Sequence, residues 1–258
     1  MKNGDDIEST TMTRFLTLLS CGFFLASCSA PPADAQLSDQ DRDEVREIVR
    51  EYILENPEII EEALVELQRR ARLRESQAQL TAVNAQYDAI YADPRDPRLG
   101  AEDPQVVIVE FMDYKCSYCR VAAEWVEDVN ERYGDRVQFI FKEYPILGPD
   151  SREAAIAALA ARRQGDDVYA NFHYTLIRAS GALPSERIDQ LASLAGVDVA
   201  QMRADMDDPA ITAHVDDVRQ LGRALDVTGT PFFIIGDTLV PGANGMALER
   251  ALMEELNG

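Results

Sequence analysis

The stretch QVVIVEFMDYKCSYC, residues 105–119, decides the fold. Its first eight residues are mostly β-branched and apolar, which predicts a buried central strand. The pair Cys116 and Cys119 follows in a C-x-x-C arrangement, and apolar residues then recur near every fourth position until Gly134. Residues 137–142 (VQFIFK) alternate as a second strand. The sequence therefore predicts a β-α-β unit whose helix begins at the C-x-x-C pair.

Towards the C-terminus, residues 150–226 have a helical pattern throughout. Thr230 and Pro231 then precede a short apolar strand at 232–235, which a Gly-Asp turn connects to a second strand. Residues 246–256 close the chain as a helix. The order β-α-β, helical block, β-β-α predicts an α/β protein with a thioredoxin fold and a helical insertion, preceded by an N-terminal helical segment.

Residues 36–92, on the N-terminal side, are highly charged and helical in pattern. Asn56-Pro57 interrupts the segment and suits the start of a second helix. An apolar stripe that includes Leu64 needs a partner if the helix projects from its domain. The favoured interpretation is a homo-oligomerisation segment, and the alternative is a helix that folds back on its own domain. Residues 93–104 contain three prolines and one glycine, which predicts a linker to a domain spanning 105–258.

The extreme N-terminus resembles a secretory signal peptide over residues 1–35. Its apolar run is too short to span a bilayer core of roughly 30 Å. The sequence Ala33-Asp34-Ala35 is one candidate cleavage signal, and Leu25-Ala-Ser-Cys28 resembles a bacterial lipobox that would leave Cys28 lipidated. Either cleavage leaves only the C-x-x-C pair as free thiols. The chain is therefore expected in the bacterial periplasm, with a lipid anchor if Cys28 is modified.

The composition excludes several classes of protein. The chain has 258 residues, is 46% hydrophobic and carries a formal net charge of −21, which indicates a globular protein that phosphate backbones would repel. No nucleic-acid partner is therefore expected. Structural zinc needs four ligands, and the mature chain offers two thiols and two unpaired histidines, so neither a metal nor a cofactor is predicted.

Three motifs carry a family resemblance. They are VEFMDYKCSYC at 109–119, FKEYPIL at 141–147 and VTGTPFF at 227–233. Together they resemble the DsbA-type thiol–disulfide oxidoreductases of bacterial envelopes, and the helical N-terminal segment is similar to that of the suppressor-of-copper-sensitivity C branch. The resemblance implies disulfide exchange with cysteine-containing envelope proteins and a membrane redox partner.

The expected roles of the two cysteines follow from their positions. Thiol–disulfide exchange needs a thiolate, and unpaired N–H groups at a helix start favour one, so Cys116 is the predicted nucleophile. Cys119, one turn further on, would resolve the mixed disulfide. The intervening Ser117 and Tyr118 bring no positive charge, so the resemblance does not imply a strongly oxidising site.

The remaining site residues lie on other elements. Pro231 is expected to be a cis-proline facing the disulfide, and Thr230 to pair its backbone with an extended client. The resemblance implies that Glu110 is a buried acid that relays the proton of Cys119, and Lys142, at the end of the neighbouring strand, is a candidate partner for its charge. A surface role for both charges is the alternative.

Oxidase, isomerase and reductase activities all remain open, although an oligomer that holds several sites around one client favours isomerisation. Two other classes compete. The two thiolates of a C-x-x-C could hold Cu(I) in a copper-resistance module. A non-catalytic, chaperone-like lipoprotein with an inert disulfide is the third interpretation.

Overall fold

The computed structural model describes residues 38–258, which divide into two compact units at the junction of Glu61 and Glu62. The predicted signal peptide at 1–35 and the candidate lipidation site Cys28 lie outside the described residues.

Two helices account for most of the N-terminal segment. Helix α1, Asp39–Glu55, begins with a capping box in which Ser38 Oγ accepts a hydrogen bond from the Asp41 amide and the Asp41 carboxylate accepts one from the Ser38 amide. Helix α2, Glu58–Ala85, starts after Asn56-Pro57, as predicted, and continues past the junction of the two units.

The second unit is built on one five-stranded sheet with strand order β1-β3-β2-β4-β5. Strands β2 and β3 are parallel, and every other neighbouring pair is antiparallel. The strand bounds are β1 Arg98–Gly100, β2 Val106–Met112, β3 Val137–Glu143, β4 Phe232–Ile235 and β5 Thr238–Pro241.

Seven further helices surround this sheet in the described chain. Helix α3 connects β2 to β3, five helices form the predicted insertion between β3 and β4, and α9 follows β5. Their bounds are α3 Ser117–Tyr133, α4 Pro149–Arg162, α5 Asp166–Arg178, α6 Ser185–Leu194, α7 Val199–Met206, α8 Pro209–Ala224 and α9 Gly245–Asn257. This arrangement confirms the predicted α/β class and the helical insertion.

Alternate residues of the central strands pack into two separate cores, one on each side of the sheet. We call the side that carries Ile108 and Met112 of β2 the site face, because the same core contains both cysteines of the C-x-x-C pair. The other side, the back face, carries Val109 and Phe111 of β2.

The expectation that residues 36–92 form a segment separate from the domain is wrong for its last part. Val83 of α2 and Ile90, which lies in a π-helical turn at Asp88–Ala92, are buried in the back-face core. The alternative that the helix folds back on its own domain therefore holds for this end of the segment.

The predicted linker at 93–104 also needs correction. It contains β1, in which Arg98 lies opposite Ile140 of β3, and it buries Asp96 completely. Its prolines and glycine mark irregular backbone, but they do not prevent the segment from pairing with the sheet edge.

Candidate active site

The two cysteines lie where α3 begins. Cys116 is the residue before the first turn of the helix and Cys119 lies within that turn. Their side chains differ in exposure, at 7% for Cys116 and 1% for Cys119. Cys116 is therefore the more accessible thiol, as the sequence predicted.

The loop before the helix is fixed by a buried carboxylate. Asp113 Oδ1 accepts a hydrogen bond from the Lys115 amide at 2.8 Å. Its Oδ2 accepts from the amides of Ile146 and Leu147, at 2.8 and 2.9 Å, in the loop after β3. One side chain thus holds together the two loops that border the cysteine pair.

Hydrogen-bond donors around Cys116 favour its thiolate. The Cys119 thiol first, then the Thr230 side chain and the backbone amides of Cys119 and Tyr118, lower the pKa of Cys116 to about 5, although burial acts in the opposite direction. The Thr230 carbonyl oxygen lies 3.1 Å from Cys116 Sγ and accepts a hydrogen bond from the thiol form. At neutral pH Cys116 is therefore mainly a thiolate, which is the reactive form.

Cys119 is in the opposite state. Burial first, then its hydrogen bond to Cys116 and the charge of Glu110, raise the pKa of Cys119 well above its usual range. The site thus holds one thiolate and one thiol, which is the asymmetry expected of a nucleophile and a resolving cysteine.

The peptide bond between Thr230 and Pro231 is cis, as predicted. Thr230 is half-buried, and its carbonyl is the group that contacts Cys116. The Pro231 carbonyl accepts a hydrogen bond from the Gly242 amide at 2.8 Å. The structure therefore places this pair against the cysteines, although the expected pairing of Thr230 with a client remains a prediction.

Glu110 is 3% exposed and lies on the site face. Burial first, then the negative charges of Glu143 and Cys116, raise the pKa of Glu110 to about 8. The charge of Glu110 in turn raises the pKa of Cys119, so this carboxyl lies near the resolving thiol. The surface alternative for Glu110 is wrong.

Lys142 is not the partner of Glu110. In the parallel register Glu110 lies opposite Phe141 and Lys142 lies opposite Phe111, so Lys142 belongs to the back face. Its ammonium forms a buried ion pair with Asp96 and donates a hydrogen bond to the Ala89 carbonyl at 2.6 Å. A one-residue difference in register is enough to put the two side chains on opposite sides of the sheet.

Sequence reasoning missed a buried polar cluster beside Glu110. Glu143 Oε1 accepts hydrogen bonds from the hydroxyls of Tyr114, at 2.7 Å, and Tyr169, at 3.0 Å. The Tyr114 hydroxyl also lies 3.1 Å from His173 Nδ1. The signal was present in the β3 pattern, because Glu143 is two residues after Phe141 and must share its face.

His173, which contacts this cluster, is buried. Burial first, then the charge of Arg178, lowers the pKa of His173 to about 3. It is therefore neutral at physiological pH and supplies no positive charge to the carboxylates around it.

A groove of about 820 Å³ opens beside Thr230 and Pro231. One wall is α2, through Arg72, Glu75 and Gln79, and the other comprises the segments before β4 and along β5. The groove is lined by both polar and apolar groups and is large enough for a stretch of extended polypeptide.

Neither a spanning helix nor a metal cluster is found in the described chain. No helix in residues 38–258 is long and apolar enough to cross a membrane. Over the same residues, no three His, Cys, Asp or Glu side chains are grouped to hold a metal ion.

The fold and the unequal thiols are typical of thiol–disulfide oxidoreductases of the thioredoxin class. Residues 107–253 match the DSBA-like thioredoxin domain, and residues 41–72 match the N-terminal domain of the copper resistance protein ScsC. The chain therefore belongs to the DsbA-like family and carries an N-terminal segment of the ScsC type.

Solved structures agree with this assignment. A Proteus mirabilis ScsC variant with a linker deletion is 30% identical with a TM-score of 0.65, and the match covers 87% of this chain and 99% of that one. The thiol–disulfide exchange protein α-DsbA2 of Wolbachia pipientis is 30% identical with a TM-score of 0.64, covering 69% and 96%. A periplasmic thioredoxin-like protein of Salmonella enterica serovar Typhimurium is 31% identical with a TM-score of 0.61, covering 68% and 98%.

A different kind of relative matches over part of its length. The chain is 29% identical over 171 residues to the sodium/proton antiporter NhaA of Herminiimonas arsenicoxydans, and this match spans 62% of the chain and 26% of the antiporter. The chain therefore spans about a quarter of the length of that relative.

Proposed function

We propose that this protein exchanges disulfides with cysteine-containing proteins of the bacterial envelope through Cys116 and Cys119. The observation that carries the proposal is the opposite ionisation of the two thiols, since Cys116 has a pKa of about 5 while burial keeps Cys119 protonated. An inert structural pair would not need one thiol held as a nucleophile beside the other.

In the oxidising direction, a client thiolate attacks Cys116 Sγ of the Cys116–Cys119 disulfide. The S–S bond breaks, its electron pair stays on Cys119 Sγ, and a mixed disulfide forms between the client and Cys116. A second client thiolate then displaces Cys116, which leaves the client oxidised and the site reduced. A membrane redox partner of the disulfide class would accept the two electrons and restore the site.

Glu110 handles the proton that these steps require. Its pKa of about 8 lies near neutral pH, so it can give a proton to the departing Cys119 thiolate and accept it in the reverse step. We therefore assign Glu110 as the proton relay. Lys142 has no part in that relay, because it is paired with Asp96 on the back face.

The client chain would lie in the groove beside Thr230 and Pro231, where the Thr230 backbone can pair with an extended segment. This position brings a client sulfur to Cys116, since the Thr230 carbonyl already contacts Cys116 Sγ.

The N-terminal segment supports a second part of the proposal, a homo-oligomer. Leu64 is 53% exposed, and most other large apolar side chains of α1 and the first half of α2 are exposed with it, while Ile53 and Ile59 are partly buried. A second copy of this chain is the occupant we propose, because each copy brings the same apolar stripe and a symmetric contact would cover both. Several sites around one client would favour isomerisation.

Export to the periplasm, with lipid anchoring through Cys28, completes the proposal. It is supported by the signal-like sequence at 1–35 and by the periplasmic relative. The mass of the mature protein purified from the envelope tests it, because an unmodified N-terminus after Ala35 would exclude the lipid anchor.

The exchange chemistry is tested with two cysteine variants. Cys116→Ser should abolish dithiol oxidation, because it removes the attacking thiolate. Cys119→Ser should instead accumulate mixed disulfides with clients through Cys116, detectable by non-reducing electrophoresis. Faster labelling of Cys119 than Cys116 by iodoacetamide at neutral pH would contradict the assignment. Refolding of scrambled ribonuclease by the wild-type protein then separates isomerase from oxidase activity.

The oligomer is tested by light scattering at micromolar concentration. Leu64→Glu should dissociate it, because each copy would bury an unpaired charge at the contact. Gln77→Glu is the matched control, since it adds the same charge at an exposed polar position of the same helix. A monomeric wild-type protein would refute the oligomer and remove the argument for isomerisation.

A further inference from the structure

Two acids share the site face without a paired base. Strand register places Met112 opposite Glu143, so Glu143 lies diagonally across from Glu110 on the neighbouring strand and both side chains emerge on the same side. Both are buried. Two like charges in such a place cannot both be ionised at little cost, so the site can hold one proton between them.

The hydrogen bonds decide which acid keeps the charge. Glu143 Oε1 receives two hydroxyl donors, Tyr114 at 2.7 Å and Tyr169 at 3.0 Å. Among the described residues, none donates a hydrogen bond that lowers the pKa of Glu110. Burial raises the pKa of Glu143 to about 8 as well, but the two hydroxyl donors stabilise its anion. Glu143 is therefore the first of the two acids to lose its proton, and the proton that remains lies on Glu110.

We propose that Glu143 is a positioning residue for disulfide exchange: the hydroxyls of Tyr114 and Tyr169 make it the first of the two acids to ionise, and its charge then keeps the relay proton on Glu110. This inference rests on the proposed exchange function and adds a second carboxylate to it.

The surroundings of the pair leave this division of charge intact. His173 is neutral because burial lowers its pKa to about 3, so it cannot neutralise Glu143. Other titratable groups also act on the pair or on its hydrogen-bond partners. They are Asp113 and Cys116 before α3, Cys119 in α3, Asp96 before β1, Arg162 in α4, and Tyr174 and Arg178 in α5. Burial first, then the charges of Asp113 and Asp96, raise the pKa of Glu143 to about 8, and the two tyrosine hydroxyls act against this rise.

The chemical consequence concerns the leaving group. When a client thiolate breaks the Cys116–Cys119 bond, the electron pair remains on Cys119 Sγ and the Glu110 proton neutralises it. In the reverse step Cys119 returns that proton to Glu110 as its sulfur attacks the mixed disulfide. Without the charge of Glu143, burial would still raise the pKa of Glu110, but by less. Glu110 would then lose its proton at lower pH, and fewer molecules would have a proton ready for the departing Cys119.

The variant Glu143→Gln tests this, because it keeps an oxygen acceptor for the tyrosines and removes the charge. We would follow the Glu110 carboxyl by ¹³C NMR in the reduced protein and identify its signal by comparison with Glu110→Gln. The titration midpoint of Glu110 should fall by about one pH unit or more. The pH profile of exchange should move in the same direction.

Tyr169→Phe gives a second test that does not depend on the folding of the first variant. Loss of one donor makes Glu143 harder to ionise, so Glu110 should again titrate at lower pH, by less than in Glu143→Gln. Tyr144→Phe is the matched control, since Tyr144 is a buried tyrosine in the back-face core whose hydroxyl donates to the Val227 carbonyl at 3.0 Å.

An unchanged Glu110 midpoint in both Glu143→Gln and Tyr169→Phe would overturn the proposal. So would an equal shift in Tyr144→Phe, since the effect would then be a general loss of packing. The NMR titration needs no client. If the proposed exchange function is wrong, turnover of clients will be absent, but the NMR titration will still show whether the two carboxyls are coupled.

Discussion

Two consecutive ionisable residues of strand β3 lie on opposite faces of the sheet, and the charged neighbours of the two residues differ. Lys142 on the back face is paired with Asp96, an opposite charge. Glu143 on the site face lies near Glu110, a like charge, and is balanced only by neutral hydroxyls. The opposite charges on the back face form an ion pair, whereas the two acids on the site face share a proton that can move. The buried ion pair thus connects elements of the fold on the back face, whereas the two buried acids on the site face can take part in proton transfer.

The largest effect should come from removing what covers the back face. A chain that begins after residue 92 loses Val83 and Ile90, each worth about 1.5–3 kcal/mol of burial, together with the Ala89 carbonyl that binds Lys142. That is a large share of a total stability of about 5–15 kcal/mol, so we expect no cooperative unfolding transition. A chain that begins at Glu62 should unfold cooperatively and exchange disulfides. Circular dichroism during urea denaturation of both chains makes the comparison, and equal stability would contradict it.

Breaking the back-face pair should have the next largest effect. Lys142→Met leaves Asp96 buried without its counter-charge and should cost roughly 3–5 kcal/mol in the free energy of unfolding. Adding Asp96→Leu should recover much of that loss. The pH midpoint of Cys116 alkylation should stay at the wild-type value in both variants, and a shift would mean that the two faces are not independent.

On the site face the effect should depend on pH. The folded pKa of Glu110, about 8, lies above its ordinary value of 4.5, so folding favours the neutral acid and wild-type stability falls as pH rises through this window. Glu110→Gln removes that penalty. Its stability relative to wild type should rise between pH 4.5 and 8 by about 4 kcal/mol. Chemical denaturation at several pH values measures this difference, and a constant offset would show that Glu110 does not titrate in this range.

The smallest effect should come from Tyr144→Phe on the back face. It removes one buried hydrogen bond to Val227 and should cost about 1 kcal/mol. The exchange rate and its pH profile should match the wild type. A change in either quantity would show that packing on the back face affects the reactivity of the cysteines independently of the Lys142–Asp96 pair.

Much of this architecture was accessible from the sequence, because strand patterns, caps and the C-x-x-C position depend on local residues. The β-α-β unit, the helical insertion and the cis bond before Pro231 are of this kind. The partner of Lys142 was not accessible, since it depends on strand register and on Asp96 in a segment that looked like a linker. The cover of the back face was missed for a related reason. A helical apolar pattern is similar around Leu64 and around Val83, and only the tertiary fold buries the second.

The short strand β1 has a consequence for solubility. It lies beside β3, which would otherwise be the open edge of the sheet, and it pairs through three residues that end at Gly100. Gly100 has φ +101°, and a Cβ there would collide with the Val137 carbonyl oxygen. A side chain at this position would lift the strand away and expose the unpaired amides and carbonyls of β3. Another chain could then add to that edge, so one glycine protects the sheet from intermolecular strand pairing and aggregation.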